Sequence, residues 1–243
     1  LYDDASDAPR TTLESYIENL LFAAVSDDLK RRVETLCEHF PPLQSIKARF
    51  YALEAFTLQS YDRVIFADSD LLFVQPIHEF LSAPEPLVAC QDETGYYDKW
   101  RDLSTFWDVP SGSPNACICF NSGLFSIGAA LLNDDIYHQL LDALAPELVP
   151  EYMALADQYI LNRCFTNQAR LLDTRYNYLV LAHQAIYKCE GFRLKDAKVL
   201  HFAGGVKPWK TNSLMDIAAK SDLVQIRAHQ QWNEAYFAFL NAQ

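Results

Sequence analysis

Runs of apolar and polar residues divide the chain into alternating strands and helices. Short unbroken apolar runs are typical of buried strands, whereas apolar residues three or four apart are typical of helices that bury one face. The predicted strands cover residues 20–25, 64–67, 71–74, 87–90, 116–120, 124–127, 169–172 and 199–202. The predicted helices follow Ser26 and Pro76 and cover about residues 44–59, 133–144 and 157–165, with a long amphipathic helix from about Ser221.

Strands that alternate with helices predict an α/β fold whose sheet is covered on both faces. We expect one domain over residues 1–243, with a mostly parallel central sheet and a C-terminal helix. Residues 20–90 and 91–210 would form its two halves, and residues 211–243 its helical tail. The Asn121-Ser122-Gly123 sequence is expected to form a turn between two strands.

The composition suits a soluble protein with a large core. Half of the 243 residues are apolar, and no run approaches the ~18 consecutive apolar residues that a membrane span requires. We therefore expect no transmembrane segment. The net charge of −12 disfavours broad nucleic-acid binding, which needs clustered basic residues. An anionic ligand would need a metal ion or a local basic pocket.

The pattern of cysteines indicates the cellular compartment of the protein. All six are scattered, with no Cys-x-x-Cys pair, which favours reduced core thiols in a cytoplasmic chain over a disulfide framework or a zinc site. The first ten residues are acidic and polar, unlike a secretory signal. A signal removed before residue 1, and association with a membrane, stay open as alternatives.

The first candidate site is Asp68-Ser69-Asp70, directly after the apolar run at 64–67. Two carboxylates at i and i+2 in extended backbone point to the same side, and the ends of strands are where open α/β sheets bind ligands. Such a pair suits Mg²⁺ or Mn²⁺ with a bound phosphate. The alternatives are a solvated loop and a phosphatase of the haloacid-dehalogenase type, which would have Thr where this chain has Leu72.

A second candidate segment runs from His201 to Trp209. It combines an imidazole that can bind a metal, the Gly204-Gly205 pair that lets backbone approach a ligand, and Lys207 for phosphate oxygens. A surface turn with a buried histidine and tryptophan is the alternative interpretation.

Several segments together resemble glycosyltransferase family eight, which includes glycogenin and bacterial lipopolysaccharide galactosyl- and glucosyltransferases. They occur in the family's order over about residues 45–210. The metal-binding strand is similar to residues 61–70, and the remaining motifs to Phe120-Asn121-Ser122-Gly123, Asp157-Gln158-Tyr159-Ile160-Leu161-Asn162, Tyr176-Asn177 and residues 201–209.

This resemblance implies a GT-A fold and a retaining transfer of a hexose, glucose or galactose, from a UDP-sugar to a glycan, lipid-linked or protein acceptor. Residues 20–90 would be the nucleotide-sugar half and residues 91–210 the half for donor sugar and acceptor. Asp68, Asp70 and His201 would hold the metal. A nitrogen ligand beside two carboxylates favours Mn²⁺ over Mg²⁺.

The resemblance also assigns roles to individual residues. Gly204 and Lys207 would bind the diphosphate, and Lys207 would stabilise the charge that grows on the departing UDP. Asn121, Asp157 and Gln158 would line the donor sugar. Because Gln158 is a weak nucleophile, retention by front-face attack is favoured over a covalent intermediate. Catalytic roles are therefore expected for Gln158, Asp157 and Lys207, and nucleotide-sugar contacts for Asp68, Ser69, Asp70, Asn121, Ser122, Gly204, Lys207 and Arg49.

Two departures from the family pattern motivate a second hypothesis. No convincing first strand precedes residues 20–25, and Ala52 stands where the family often has a basic residue, with Arg49 one turn earlier on the predicted helix. A catalytically silent module that binds sugar nucleotides is therefore an alternative to an enzyme.

Two further segments leave functions open. Residues 91–115 contain both aromatic and charged side chains. This segment could form a wall of the acceptor site or a lid, or it could be a loop whose aromatic residues pack on the core. The C-terminal helix has a stripe of mainly apolar residues (Leu223, Ile226, His229 or Gln230, Tyr236, Phe237, Leu240). This stripe is expected to pack on the core or to mediate self-association into a homo-oligomer.

Overall fold

The structure is a computed structural model, which describes residues 17, 19, 20, 22–92, 120–149, 156–165, 168–210, 215, 217–219 and 222–241. The predicted 91–115 segment lies outside the described residues beyond Asp92, and the predicted 116–120 strand lies outside them before Phe120.

Six α-helices and seven strands occur in the described part of the chain. The helices are α1 Asp27–His39, α2 His78–Ser82, α3 Asp134–Asp142, α4 Asp157–Phe165, α5 His183–Glu190 and α6 Leu223–Asn241. The strands are β1 Arg63–Ala67, β2 Leu71–Phe73, β3 Leu87–Gln91, β4 Phe120–Gly128, β5 Ala169–Leu172, β6 Tyr178–Leu179 and β7 Val199–His201. The 3-10 helical segments are Pro41–Thr57, Ala129–Leu131, Pro146–Leu148, Thr174–Asn177, Val180–Ala182 and Leu194–Asp196.

The strands form two sheets, with the orders β1-β4-β3-β5 and β2-β7-β6. Strand β3 runs antiparallel to β4 and parallel to β5. Strand β7 likewise runs antiparallel to β2 and parallel to β6. The α/β class is confirmed, while the strand directions, expected to be mostly parallel, are mixed in both sheets.

The chain divides into two compact units, each described here by itself. The first comprises residues 1–64 and 129–164. Its helix α1 begins at Ser26, as predicted, and the Ser26 hydroxyl accepts a hydrogen bond from the Leu29 amide at 3.3 Å. The buried Glu54 carboxylate accepts from the Ser26 and Tyr137 hydroxyls at 3.2 and 2.9 Å. These bonds join α1, the 3-10 segment and α3 around a polar point in an otherwise apolar core.

The second unit comprises residues 65–128 and 165–243 and contains the sheets. One buried cluster includes Phe80, Val88 and Leu124. Another includes Ile186 and Leu200 and reaches α6. These two clusters fix the strand ends on which the candidate site is built.

Helix α6 confirms the prediction of a long C-terminal helix that packs on the core, but of the predicted stripe only His229 is buried. The residues that α6 buries are Ala228 and His229, and the Phe202 ring meets His229 edge-on at 5.2 Å. Leu223 and Phe237 of the predicted stripe are 76% and 60% exposed. The helix buries its N-terminal half against Phe202, so the apolar residues near its end are left outside this contact.

Three local predictions are corrected. Residues 22–25 form no strand, and Ala24 makes only an isolated bridge. The helix predicted over about residues 44–59 is the 3-10 segment Pro41–Thr57, which begins at Pro41 and Pro42 because proline fits the first helical positions. Asn121-Ser122-Gly123 is not a turn: it lies inside the continuous strand β4, opposite an irregular register at Ala89/Cys90. There β4 carries extra residues between Asn121 and Phe125, as in a bulge.

None of the described helices is long and apolar enough to cross a bilayer.

Candidate metal centre

Asp68, Asp70 and His201 lie together, with one ligand atom from each within 4.8 Å of the others. Both aspartates follow β1, and His201 ends β7. The antiparallel pairing of β2 with β7 sets Leu71 opposite His201, and the Phe202 amide donates to the Asp70 carbonyl at 3.0 Å. Strand register therefore brings together residues that are more than 130 positions apart in the sequence.

Gly123 makes room for this cluster. A Cβ atom on Gly123 would lie 2.4 Å from Cε1 of His201 and 3.0 Å from Oδ2 of Asp68. The Gly123 carbonyl also accepts from the Asp68 amide at 2.8 Å. Sequence reasoning treated this glycine as a turn former, whereas its role is close approach between backbone and the candidate ligands.

A chain of buried hydrogen bonds fixes the orientation of the His201 ring. It starts at the Gly123 amide, which can only donate, so Oδ1 of Asn121 is the acceptor at 2.9 Å. The same oxygen accepts from Nδ2 of Asn177 at 2.9 Å, which leaves Oδ1 of Asn177 facing Nδ1 of His201 at 2.8 Å. Nδ1 therefore carries the proton and donates. Nε2 of His201 faces Asp70, with Oδ1 3.4 Å away.

Asp92 extends this series of hydrogen bonds at the end away from His201. Its carboxylate accepts from Nδ2 of Asn121 at 2.8 Å, and both residues are buried. The sequence placed Asp92 only among the charged residues of the 91–115 segment, and Asn177 only in a family motif. That motif was the signal for Asn177. No signal in the sequence marked Asp92, because its contact depends on the pairing of β3 with β4.

Lys207 adds a positive charge to the site. Its ammonium donates to Oδ2 of Asp70 and, at 2.8 Å, to the Phe202 carbonyl. Burial alone would raise the pKa of Asp70, but the neighbouring His201 and Lys207 outweigh burial and hold the pKa well below its ordinary value. Asp70 is therefore ionised at neutral pH and available as a metal ligand.

The donor set fits a divalent cation. Oδ1 of Asp70 is buried and has no hydrogen-bond partner among the described residues, although it faces the shared space of the cluster. Two carboxylates and one imidazole whose second nitrogen is held by an amide oxygen are a common ligand arrangement. The residues present therefore suit a divalent metal ion.

The remaining predicted site residues fall in two places. Near the cluster, Asn121 and Ser122 are buried in β4 and Ser69 is exposed. Gly204 has φ +83, and a Cβ there would lie 3.3 Å from Leu181, so both conformation and space favour glycine.

In the first unit, Asp157 and Gln158 are buried at the start of α4, and Arg49 is exposed on the 3-10 segment. The functional roles of all these residues stay predictions.

The fold defines the class of protein. The chain is similar to a crystal structure of the galactosyltransferase LgtC in complex with donor and acceptor sugar analogs, with a TM-score of 0.64, 19% identity, and coverage of 92% of this chain and 82% of that one. The architecture is that of the GT-A glycosyltransferases.

The sequence comparison then identifies the family. Residues 42–213 match Glycosyl transferase family 8. The chain belongs to glycosyltransferase family 8, as the motifs predicted.

Two curated relatives illustrate this membership. Glycogenin-1 of Caenorhabditis elegans is 28% identical over 200 residues, which cover 79% of this chain and 38% of that protein. The lipopolysaccharide 1,3-galactosyltransferase of Salmonella typhimurium is 24% identical over 228 residues, which cover 84% of this chain and 62% of that protein. The chain thus spans less than two thirds of the length of either relative.

Proposed function

We propose that this chain is a metal-dependent retaining glycosyltransferase that moves a hexose from a UDP-sugar to a carbohydrate-bearing acceptor. The convergence of Asp68, Asp70 and His201 in a family 8 fold is the observation that carries this proposal. Glucose and galactose are the expected hexoses, and a galactosyltransferase among the relatives supports that expectation. A bound Mn²⁺, or Mg²⁺, would supply positive charge beside the donor diphosphate.

Lys207 has the chemistry to assist departure of UDP. The bond between the anomeric carbon and the phosphate breaks with oxocarbenium character, and the leaving group gains negative charge. The Lys207 ammonium donates to Asp70 and therefore lies beside one of the proposed metal ligands, where we propose that it meets a donor phosphate oxygen. A cation placed where charge develops lowers the barrier more than it tightens ground-state binding.

The other residues are assigned to binding. We propose that Ser69, Ser122 and Gly204 contact the donor nucleotide-sugar and that Arg49 contacts its phosphate or sugar. Asp157 and Gln158 would line the donor hexose, with Gln158 facing the anomeric carbon. Asn121 is also expected near the sugar, yet its bonds to Gly123, Asn177 and Asp92 give it a scaffold role as well.

The test is UDP release from UDP-glucose and UDP-galactose, with and without Mn²⁺, measured on the unaltered chain and on Asp70→Asn. We expect metal-dependent release that the variant loses almost completely. Asp62→Asn is the matched control, because Asp62 is exposed and lies just before β1. Normal turnover by Asp70→Asn would place the metal site elsewhere.

The same assay separates the alternatives. UDP binding with no turnover under any condition would favour a catalytically silent module. Release of inorganic phosphate from small phosphate esters would favour the phosphatase hypothesis, which Leu72 disfavours.

A further inference from the structure

A cavity of about 820 Å³ lies in the second unit, between α5, the segment that follows it and the first turns of α6. None of the residues predicted for the glycosyltransferase site lines it. Its size falls within the range of roughly 300–1,000 Å³ that is usual for small-molecule sites. The cavity is therefore large enough for a ligand of its own.

The walls of this cavity are mainly apolar and aromatic. Tyr178 is buried at its floor, and Tyr187, Phe192 and Leu194 extend the apolar surface towards α6. The Tyr187 ring is about half exposed. An apolar body that enters the cavity would remove this surface from water.

The fixed charges at the polar rim of the cavity are all positive. Arg193, Lys195 and Arg227 line the cavity, and its lining contains no carboxylate. Among the described residues, no carboxylate oxygen lies within 4 Å of these three cationic groups. Their clustering is notable in a chain whose net charge is −12. An anion is the natural counter-charge for such a rim.

Two acidic residues near the cavity, Asp222 and Asp196, already accept hydrogen bonds from backbone amides. Asp222 accepts from the Val224 and Gln225 amides at 3.1 and 3.0 Å, and it pairs with His183 at 2.9 Å. The Asp196 carboxylate accepts from the Arg193 amide at 2.9 Å, which closes the turn. These carboxylates stabilise a turn and a helix end, and Asp196 offsets part of the Arg193 charge. Neither lines the cavity.

Arg193 is also held in position before any ligand arrives. Its guanidinium lies 5.1 Å from the centre of the Tyr187 ring and donates to the Tyr187 hydroxyl at 3.2 Å. A cation fixed over an aromatic wall loses little conformational entropy when it binds an anion.

We propose that this cavity binds an amphipathic anion, a molecule with an apolar body and one phosphate or carboxylate group. The apolar body contacts the Tyr178, Phe192 and Leu194 surface, and the anionic group lies among Arg193, Lys195 and Arg227. This site is separate from the sugar-nucleotide site, and the proposal does not depend on the transferase activity.

The test compares three probes on the unaltered protein by isothermal titration calorimetry, below the micelle concentration. Dodecyl phosphate carries both features, dodecyl maltoside only the apolar chain, and inorganic phosphate only the charge. We expect saturable binding of dodecyl phosphate with one site, and at least tenfold weaker binding of the other two. Equal binding of either control, or no binding of dodecyl phosphate, would overturn the proposal.

Two variants then locate the site. Arg227→Gln should weaken dodecyl phosphate binding about tenfold, since a hydrogen bond to a charged group is lost. Lys188→Gln is the matched control, because Lys188 is exposed on α5 but does not line the cavity. Unchanged affinity in Arg227→Gln, with circular dichroism like that of the unaltered protein, would contradict the assignment. The three-probe comparison stands even if this variant fails to fold.

Discussion

Oδ1 of Asn177 lies 2.8 Å from Nδ1 of His201 and holds the histidine ring with Nε2 turned towards Asp70. The direction of this bond follows from the Gly123 amide through Asn121, so each member has one allowed orientation. A buried network with defined donors and acceptors fixes a single geometry. Preorganisation of the candidate ligand His201 thus depends on Asn177, which is not itself a candidate metal ligand.

Replacement of Asn177 by Ala should lower Mn²⁺ affinity about 10- to 100-fold, which is typical when the group that orients a ligand is lost. The measurement is titration of free Mn²⁺ by electron paramagnetic resonance, without any sugar donor. Asn177→Asp is the informative companion, because an aspartate still accepts from His201 but cannot donate to Asn121. It should retain more affinity than Asn177→Ala. Equal affinity of the Ala variant and the unaltered chain would refute the positioning role.

Gly123→Ala should damage both the fold and the metal site. The new methyl group would lie 2.4 Å from the His201 ring, and overpacking of this kind costs about 1–3 kcal/mol. Urea denaturation measures the loss of free energy of unfolding, and Mn²⁺ titration measures the site. Gly205→Ala is the control, since a Cβ there meets nothing within 4 Å. Similar effects in both variants would argue against the close approach as the cause.

Lys207→Ala should lower the turnover number more than the affinity for the donor. The reason is that charge on UDP develops mainly in the transition state. Steady-state kinetics with a UDP-hexose at saturating Mn²⁺ separates the two quantities. Lys210→Ala serves as the control, because Lys210 is exposed in the same segment. A variant that raises KM alone would assign Lys207 to ground-state binding.

Gln158→Ala should retain measurable turnover, because a front-face attack needs no nucleophile from the protein. Quenched assays of hexose transfer give the residual rate, and mass spectrometry tests for a covalent hexosyl adduct on the unaltered chain. Near-total loss of turnover together with an adduct would instead support a covalent intermediate. Gln158 lies at the start of α4 with its carbonyl accepting from Asn162 at 2.8 Å, so the backbone there should tolerate the change.

The family motifs predicted which three residues lie together better than the periodicity predicted the strands. Asp68, Asp70 and His201 could be found because their residue types and order are distinctive. The bulged strand around Asn121 could not be predicted, because consecutive asparagine, serine and glycine residues are typical of a turn. Its extended form depends on pairing with β3. The register of β2 with β7 likewise arises from tertiary packing, which no local pattern encodes.

The shortest elements could not be predicted from the sequence either. Strand β6 has only two residues, Tyr178–Leu179, and α5 follows it after one 3-10 turn. Neither shows a period long enough to detect, since a pattern needs a window of about 11 residues or more. Their positions are fixed by burial of Tyr178 and Ile186 in the core.

The buried His229 should make the protein less stable as the pH falls. Its Nδ1 donates to the Gln225 carbonyl at 2.9 Å, while its Nε2 is buried with no hydrogen-bond partner in the described ranges. Burial lowers the pKa of His229, an effect that the Gln225 bond only partly offsets. Below about pH 6.5 the unfolded chain therefore binds a proton that the folded chain rejects, and the free energy of unfolding falls by up to about 1.4 kcal/mol per pH unit.

Substitution of His229 by Phe tests this linkage and keeps an aromatic ring against Phe202. Urea denaturation between pH 8 and pH 5 should show a clear loss of stability in the unaltered chain and a smaller loss in the variant. His78→Gln is the control, because His78 is an exposed histidine at the start of α2. Parallel pH profiles for the unaltered chain and His229→Phe would show that another group causes the acid sensitivity. If the pH profile flattens in His229→Phe but not in His78→Gln, the acid sensitivity is assigned to His229. The buried Nε2 atom of this residue has no acceptor for the proton that it would gain.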